Sequence, residues 1–181
     1  MFPHVLTVTP FQINSFARDI IGFTPVEAVS VLLISNALGI PTRPLAGLLA
    51  DRHLGPINVY CLFLTCFAAT LFGWTAVTTR TGMYVFAAFY GTAAGAAQGI
   101  FVGALASLTT DPRKMGTRFG MVSTLLGLAT LAGPPTAGAI IGVSGGDYKW
   151  AQVWGGVVLL LAAMAAAGAR VALAGFKVAK V

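Results

Sequence analysis

Residues 36 to 56 read Asn36-Ala-Leu-Gly-Ile-Pro-Thr-Arg43-Pro-Leu-Ala-Gly47-Leu-Leu-Ala-Asp51-Arg52-His-Leu-Gly55-Pro56. An apolar helix end carries one arginine inside it and an acid–base pair where it stops, which is the pattern of a membrane span meeting water. Gly47, Asp51, Arg52 and Gly55 stand as Gly-x-x-x-Asp-Arg-x-x-Gly. Gly47 lets a neighbouring helix approach closely, Asp51 can cap or pair with the positive end of an adjacent helix, and Arg52 can reach phosphates or carbonyls at the surface. A soluble helix stopped by Gly55-Pro56 would carry the same letters, so the surrounding chain decides.

Of the 181 residues, 57% are hydrophobic and 9% charged, against roughly 25% charged in a soluble domain. Such a chain cannot cover its surface with polar groups. Its apolar runs repeatedly reach the ~20 residues that cross ~30 Å of hydrocarbon, which predicts an all-α polytopic membrane protein embedded in the lipid bilayer. The net charge of +6 is scattered over span ends with no continuous patch, so it concerns topology and not nucleic acid. Cys61 and Cys66 share one apolar run and point to different helix faces, giving neither a disulfide framework nor a metal site. No cofactor is expected. An enzyme is disfavoured: the spans hold no paired carboxylates and no nucleophile with a nearby base, and the two histidines, His4 and His53, fall at opposite ends of the bundle. A cleavable signal peptide is not expected either, since residues 1–14 contain polar and proline interruptions and lack a basic start.

In chain order, residues 1–14 are apolar but reach only ~20 Å as a helix, half a span. A polar link follows through Arg18 and Asp19. Thr24-Pro25-Val26-Glu27 then supplies an N-cap, a first-turn proline and a capping-box glutamate. Full spans are predicted at about 25–50, 57–78, 83–108, 119–142 and 150–174. Their connections alternate sides. Arg52, Arg113, Lys114, Arg118, Arg170, Lys177 and Lys180 fall on one side, and Arg18, Arg80 and Lys149 on the other. The positive-inside rule makes the first side, with the C-terminus, cytoplasmic. Trp150 and Trp154 suit an interfacial belt at the outer start of the last span.

Gly91, Gly95, Gly99 and Gly103 recur every fourth residue and form one groove for another helix of the same bundle. Gln98 beside that row is a strongly polar side chain at mid-depth, placed either to hydrogen-bond a substrate or to lock two helices. Gly133-Pro134-Pro135-Thr136-Ala137-Gly138 puts two prolines at mid-membrane, which frees backbone carbonyls and kinks the helix, for structural bending or for gating.

The loop motif, the glycine row, Gly-Thr-Arg-Phe-Gly-Met at 116–121 and Gly-Pro-Pro-x-x-Gly, in this order, resemble the C-terminal half of a fungal monocarboxylate-transporter-like permease of the major facilitator superfamily. The resemblance spans essentially the whole chain and implies a six-helix half with a truncated first helix. The full spans would correspond to helices eight to twelve of a twelve-helix transporter, whose two bundles rock about a central substrate site. It also implies multi-pass residence in the plasma membrane and transport of a small organic anion, such as a monocarboxylate or related metabolite. Arg43-Pro44 matches the family's Arg-Pro step, in which the arginine is implicated in binding the substrate carboxylate. An arginine at depth suits that task through a bidentate pair, while snorkelling to the interface is the competing use of the same side chain. Where the family carries an aspartate one turn earlier, with a part in proton coupling, this chain has Gly39. His53 and Leu54 together separate Arg52 from Gly55, where the general superfamily motif has one residue. The family's fold further implies a partner, either a missing N-terminal half or a second copy. The competing function is that of a non-transporting membrane remnant or partner subunit with a structural role.

Overall fold

The capping box reads out as the sequence implies. Glu27 N–H donates to Thr24 Oγ1 at 3.3 Å and Thr24 N–H donates to Glu27 Oε2 at 2.8 Å, with Pro25 in the first turn. The computed structural model describes residues 2–109 and 111–174, and six long helices carry most of them: α1 (Phe2–Asp19), α2 (Pro25–Leu49), α3 (Pro56–Trp74), α4 (Arg80–Ser107), α5 (Met115–Val143) and α6 (Lys149–Ala174). Five of them, α2 to α6, are long and apolar enough to cross a membrane. The architecture is an all-α, multi-pass bundle. The tail lysines Lys177 and Lys180 and the side chain of His4 lie outside the described residues.

Several boundaries differ from expectation: α4 begins at Arg80 and not at 83, α5 at Met115 and not at 119, and two further differences have a visible cause. The first helix does not stop at residue 14: it continues through the supposed polar link to Asp19, because Ile13, Phe16 and Ala17 are buried on one face while Arg18 and Asp19 turn outward. The turn to α2 is made at Gly22, whose φ of +74° favours glycine. The second full span ends at Trp74 and not at residue 78, since Thr79 starts the next helix by accepting from Gly82 N–H at 3.1 Å.

Within the bundle α4 packs against α2 and α3, α6 against α3, and α1 against α5 with lighter contacts to α2 and α6. The core is aromatic at its centre. Trp74 stacks on Phe86 with centroids 5.0 Å apart, Phe16 meets Trp74 edge-on at 5.5 Å, and Phe67 meets Tyr90 at 5.2 Å. Such pairs add about 0.5–1.5 kcal/mol each beyond area burial. Trp154 is half-buried against this cluster, whereas Trp150 is exposed, so only Trp150 presents a full ring to the surroundings. Cys61 and Cys66 are both free thiols.

Contacts at the helix ends follow the alternation of connections. At one end Arg80 pairs with Glu27 at 3.1 Å, donates to Gly22 O at 2.8 Å and lies over the Phe23 ring, while Tyr148 donates to Asp19 at 2.9 Å. At the other end Arg118 donates to Leu108 O at 2.7 Å and Arg170 donates to Asn58 Oδ1 at 2.9 Å.

Candidate functional site

The glycine row decides how near α2 comes to α4. A Cβ on Gly91 would collide with the backbone of Ser35, one on Gly95 would lie 2.6 Å from Gly39 Cα, and one on Gly99 would lie 2.7 Å from Arg43 Cα. The matching line on α2 is therefore Ser35, Gly39 and Arg43, with the same four-residue step. Backbone meets backbone here, and only residues without a side chain permit it. The groove changes character at its end. Gly103 is half-buried against Pro56 and Ile100 at 3.7 and 3.6 Å, so it does not continue the α2 contact.

That approach places Arg43. Its Cα is pinned against Gly99, its guanidinium projects past the row, and Nη2 donates to Gln98 Oε1 across the helix pair at 3.1 Å. The two candidate binding residues are thus brought together. The acceptor is a neutral amide, so this contact leaves the arginine's charge unmatched. Beside the pair lies a crevice of about 150 Å³ lined by Ser35, Asn36, Gly39, Arg43, Tyr90 and Gln98, among others, with Pro10 of α1 at its wall. Ser35, Asn36 and Tyr90 were not among the residues singled out in the sequence. Asn36 was findable, since it stands two helical turns before Arg43 and so shares its face. Its Nδ2 donates to Leu32 O at 2.9 Å.

A larger hollow of about 490 Å³ opens between the end of α3 and the start of α4, lined by Thr70, Gly73, Val77, Thr79, Phe86 and Phe89, among others. No charged residue lines it. The smaller crevice, by contrast, is lined by the cation Arg43. Among the described residues, no group of three histidine, cysteine, aspartate or glutamate side chains is placed to hold a metal ion.

The loop motif forms one π-helical turn, Ala50–Leu54, closed by Gly55 at φ +81° and ψ 154°. Gly55 N–H returns to Ala50 O at 2.9 Å. Only glycine occupies that backbone region freely, which gives this motif position a conformational reason. Asp51 and Arg52 sit exposed on the turn. Gly47 departs from its expected role: a Cβ there would meet nothing within 4 Å. The buried stripe of α2 passes through Ala46 and Ala50 instead, because a strict four-residue step drifts off a helix of 3.6 residues per turn and a step of three corrects it. Asn58 and Arg170, also missed in the sequence, tie the turn to α6, with Asn58 Nδ2 donating to Leu54 O at 2.7 Å.

The proline element lies in α5, which is helical without interruption across Pro134 and Pro135. Gly133 and Ala137 are the buried residues of this helix, while both prolines and Gly138 face outward, with nothing within 4 Å of a Cβ at Gly138. The prolines supply no amide hydrogen to the carbonyls of Thr130 and Leu131, four residues earlier.

The model of the Major Facilitator Superfamily matches residues 4–179. An MFS-type transporter of Gibberella zeae is 38% identical over 150 residues, covering 81% of this chain and 33% of that protein. An aspyridones efflux protein of Emericella nidulans is 30% identical over 93% of this chain and 34% of its own length. A riboflavin transporter of Saccharomyces cerevisiae is 30% identical over 86% of this chain and 30% of its own length. The chain therefore spans about a third of the length of these relatives. Five apolar spans, the packing of a helical bundle and a family match along nearly the whole sequence lead to one assignment: the chain belongs to the major facilitator superfamily.

Proposed function

We propose that this chain is the C-terminal six-helix half of a plasma-membrane transporter for a small organic anion of monocarboxylate type, with Arg43 and Gln98 on the substrate path. The supporting observation is the Arg43–Gln98 bond. The arginine crosses from α2 to α4 beside a polar crevice, and its charge is not matched by the amide that holds it. A carboxylate entering the crevice would exchange that single neutral bond for a two-bond charged fork. The relatives named for riboflavin and for aspyridones carry cargoes of different kinds, so the choice of an anion rests on Arg43.

Gly39 bears on coupling. A Cβ there would come within 3.2 Å of Gly91 O and 3.7 Å of Gly95 Cα, leaving little room for a carboxylate on this helix face. Transport should depend only weakly on a proton gradient.

The test is flux of radiolabelled lactate, with riboflavin as a second cargo, into vesicles carrying the transporter that contains this chain. Arg43→Ala should abolish lactate flux with insertion intact, and Arg43→Lys should recover little. Unchanged lactate flux in Arg43→Ala would mean that the arginine only bonds Gln98. Flux of riboflavin alone would reject the monocarboxylate class. Absence of flux for either cargo in the wild-type protein would favour a non-transporting partner subunit.

A further inference from the structure

Among the described residues, the buried side-chain polar atoms without a partner, on Gln12, Trp74 and Gln152, fall at a place that the proposed substrate path does not use. Gln152 on α6 is only 2% exposed, yet neither its Nε2 nor its Oε1 meets a partner among the described residues. Gln12 on α1 buries an Nε2 in the same condition. The two glutamines belong at one depth. Phe16 and Tyr148 touch edge-on with centroids 5.6 Å apart, Gln12 lies one turn before Phe16, and Gln152 lies one turn after Tyr148. The contact joins the end of α1 to the start of α6, so the two helices extend from it toward the same side with opposed chain directions, and both amides sit one turn deeper. Above them Tyr148 donates to Asp19 at 2.9 Å, and Gln12, Ser15 and Asp19 follow a three-then-four step along one face of α1. A polar seam thus enters the aromatic core from the helix ends and stops at Gln12 Nε2 and the Gln152 amide, which have no partner among the described residues.

Apolar packing offers these groups nothing, and buried amides in folded proteins are almost always hydrogen-bonded to protein or to ordered water. A water molecule needs two to four polar partners at a buried site. Gln12 provides a donor, and Gln152 provides a donor and an acceptor. We infer that Gln12 and Gln152 hold internal water between α1 and α6, closed off from the surroundings on one side by the Asp19–Tyr148 bond. The joint between these helices is then hydrated, in a bundle otherwise packed there by aromatic rings.

Water-edited solid-state NMR of the full chain in lipid vesicles, labelled with 15N at glutamine side chains, tests this directly. The sequence has three glutamines, Gln12, Gln98 and Gln152, and subtraction with Gln12→Leu and Gln98→Glu assigns them. Magnetisation should pass rapidly from water to the Gln152 amide despite its burial. No transfer to Gln152 would overturn the inference. Thermal unfolding in detergent gives a second reading. Gln12→Leu or Gln152→Leu alone should lower the Tm by stranding the other amide, and the double variant should regain most of the loss. Single substitutions that each raise the Tm would mean that the amides are simply unsatisfied, and losses that add in the double variant would mean that the two residues act apart. Either result rejects a shared water.

Discussion

Arg43 owes its position to a residue that has no side chain. Placing a methyl group on Gly99 brings it to 2.7 Å from Arg43 Cα, so Gly99→Ala should cost about 1–3 kcal/mol as overpacking, offset by up to ~1 kcal/mol of helix propensity. It should also impair anion flux while leaving the arginine's charge in place. Gly103→Ala is the control. Its nearest neighbours lie at 3.6 and 3.7 Å, and the variant should be neutral or slightly stabilising by thermal unfolding in detergent. Gly55→Ala should lose about 1–3 kcal/mol for a different reason, the backbone strain of a non-glycine residue at φ +81°. Equal stability of the Gly99 and Gly103 variants would remove the case for backbone contact at Gly99. The sequence showed the glycine row by its period, but Ser35, Gly39 and Arg43 opposite it were not legible as a line. Period reveals one face of a helix, whereas the partner that fills it depends on tertiary register.

At the level of elements, α4 and α5 are opposites. Much of α4 is buried, including Ala93, Ala94, Gly95, Ala96 and Ala97 in succession, whereas α5 buries Gly133 and Ala137. Few buried contacts and two carbonyls deprived of amide partners by Pro134 and Pro135 place α5 at the low-stability end of the bundle. Hydrogen exchange in nanodiscs should therefore label α5 amides well before those of α4, and comparable protection of the two would contradict this ranking. Helix existence was readable throughout, from apolar length and from caps such as Thr24 and Glu27. The outward aim of the prolines was not, because a Gly-Pro string states where a helix is weakened and not which way it faces. Gly47 shows the same limit, as a motif glycine whose expected neighbour is not found among the described residues.

For the whole molecule, the charge asymmetry makes a topological claim. The end bearing Arg52, Arg113 and Lys114 should be cytoplasmic. Single cysteines at positions 114 and 149, in a background with Cys61 and Cys66 replaced, should react with a membrane-impermeant reagent from inside and outside respectively; outside labelling at 114 would reverse the orientation. Side-by-side placement of the connections was deducible from alternation alone, while the ties that hold each end, Arg80 to Glu27 and Arg170 to Asn58, join residues too distant in sequence to be paired by inspection. That distance has a consequence for biogenesis. Arg43 and Gln98 are 55 residues apart, and at synthesis rates of ~5–20 residues per second the ribosome needs roughly 3–11 s to deliver the second after the first. Throughout that interval α2 lacks the α4 surface that its narrow backbone face packs against, and Arg43 lacks the amide it later bonds. Snorkelling toward the lipid headgroups is one course open to that charge until α4 emerges. The α2 contact face is completed only when α4 arrives.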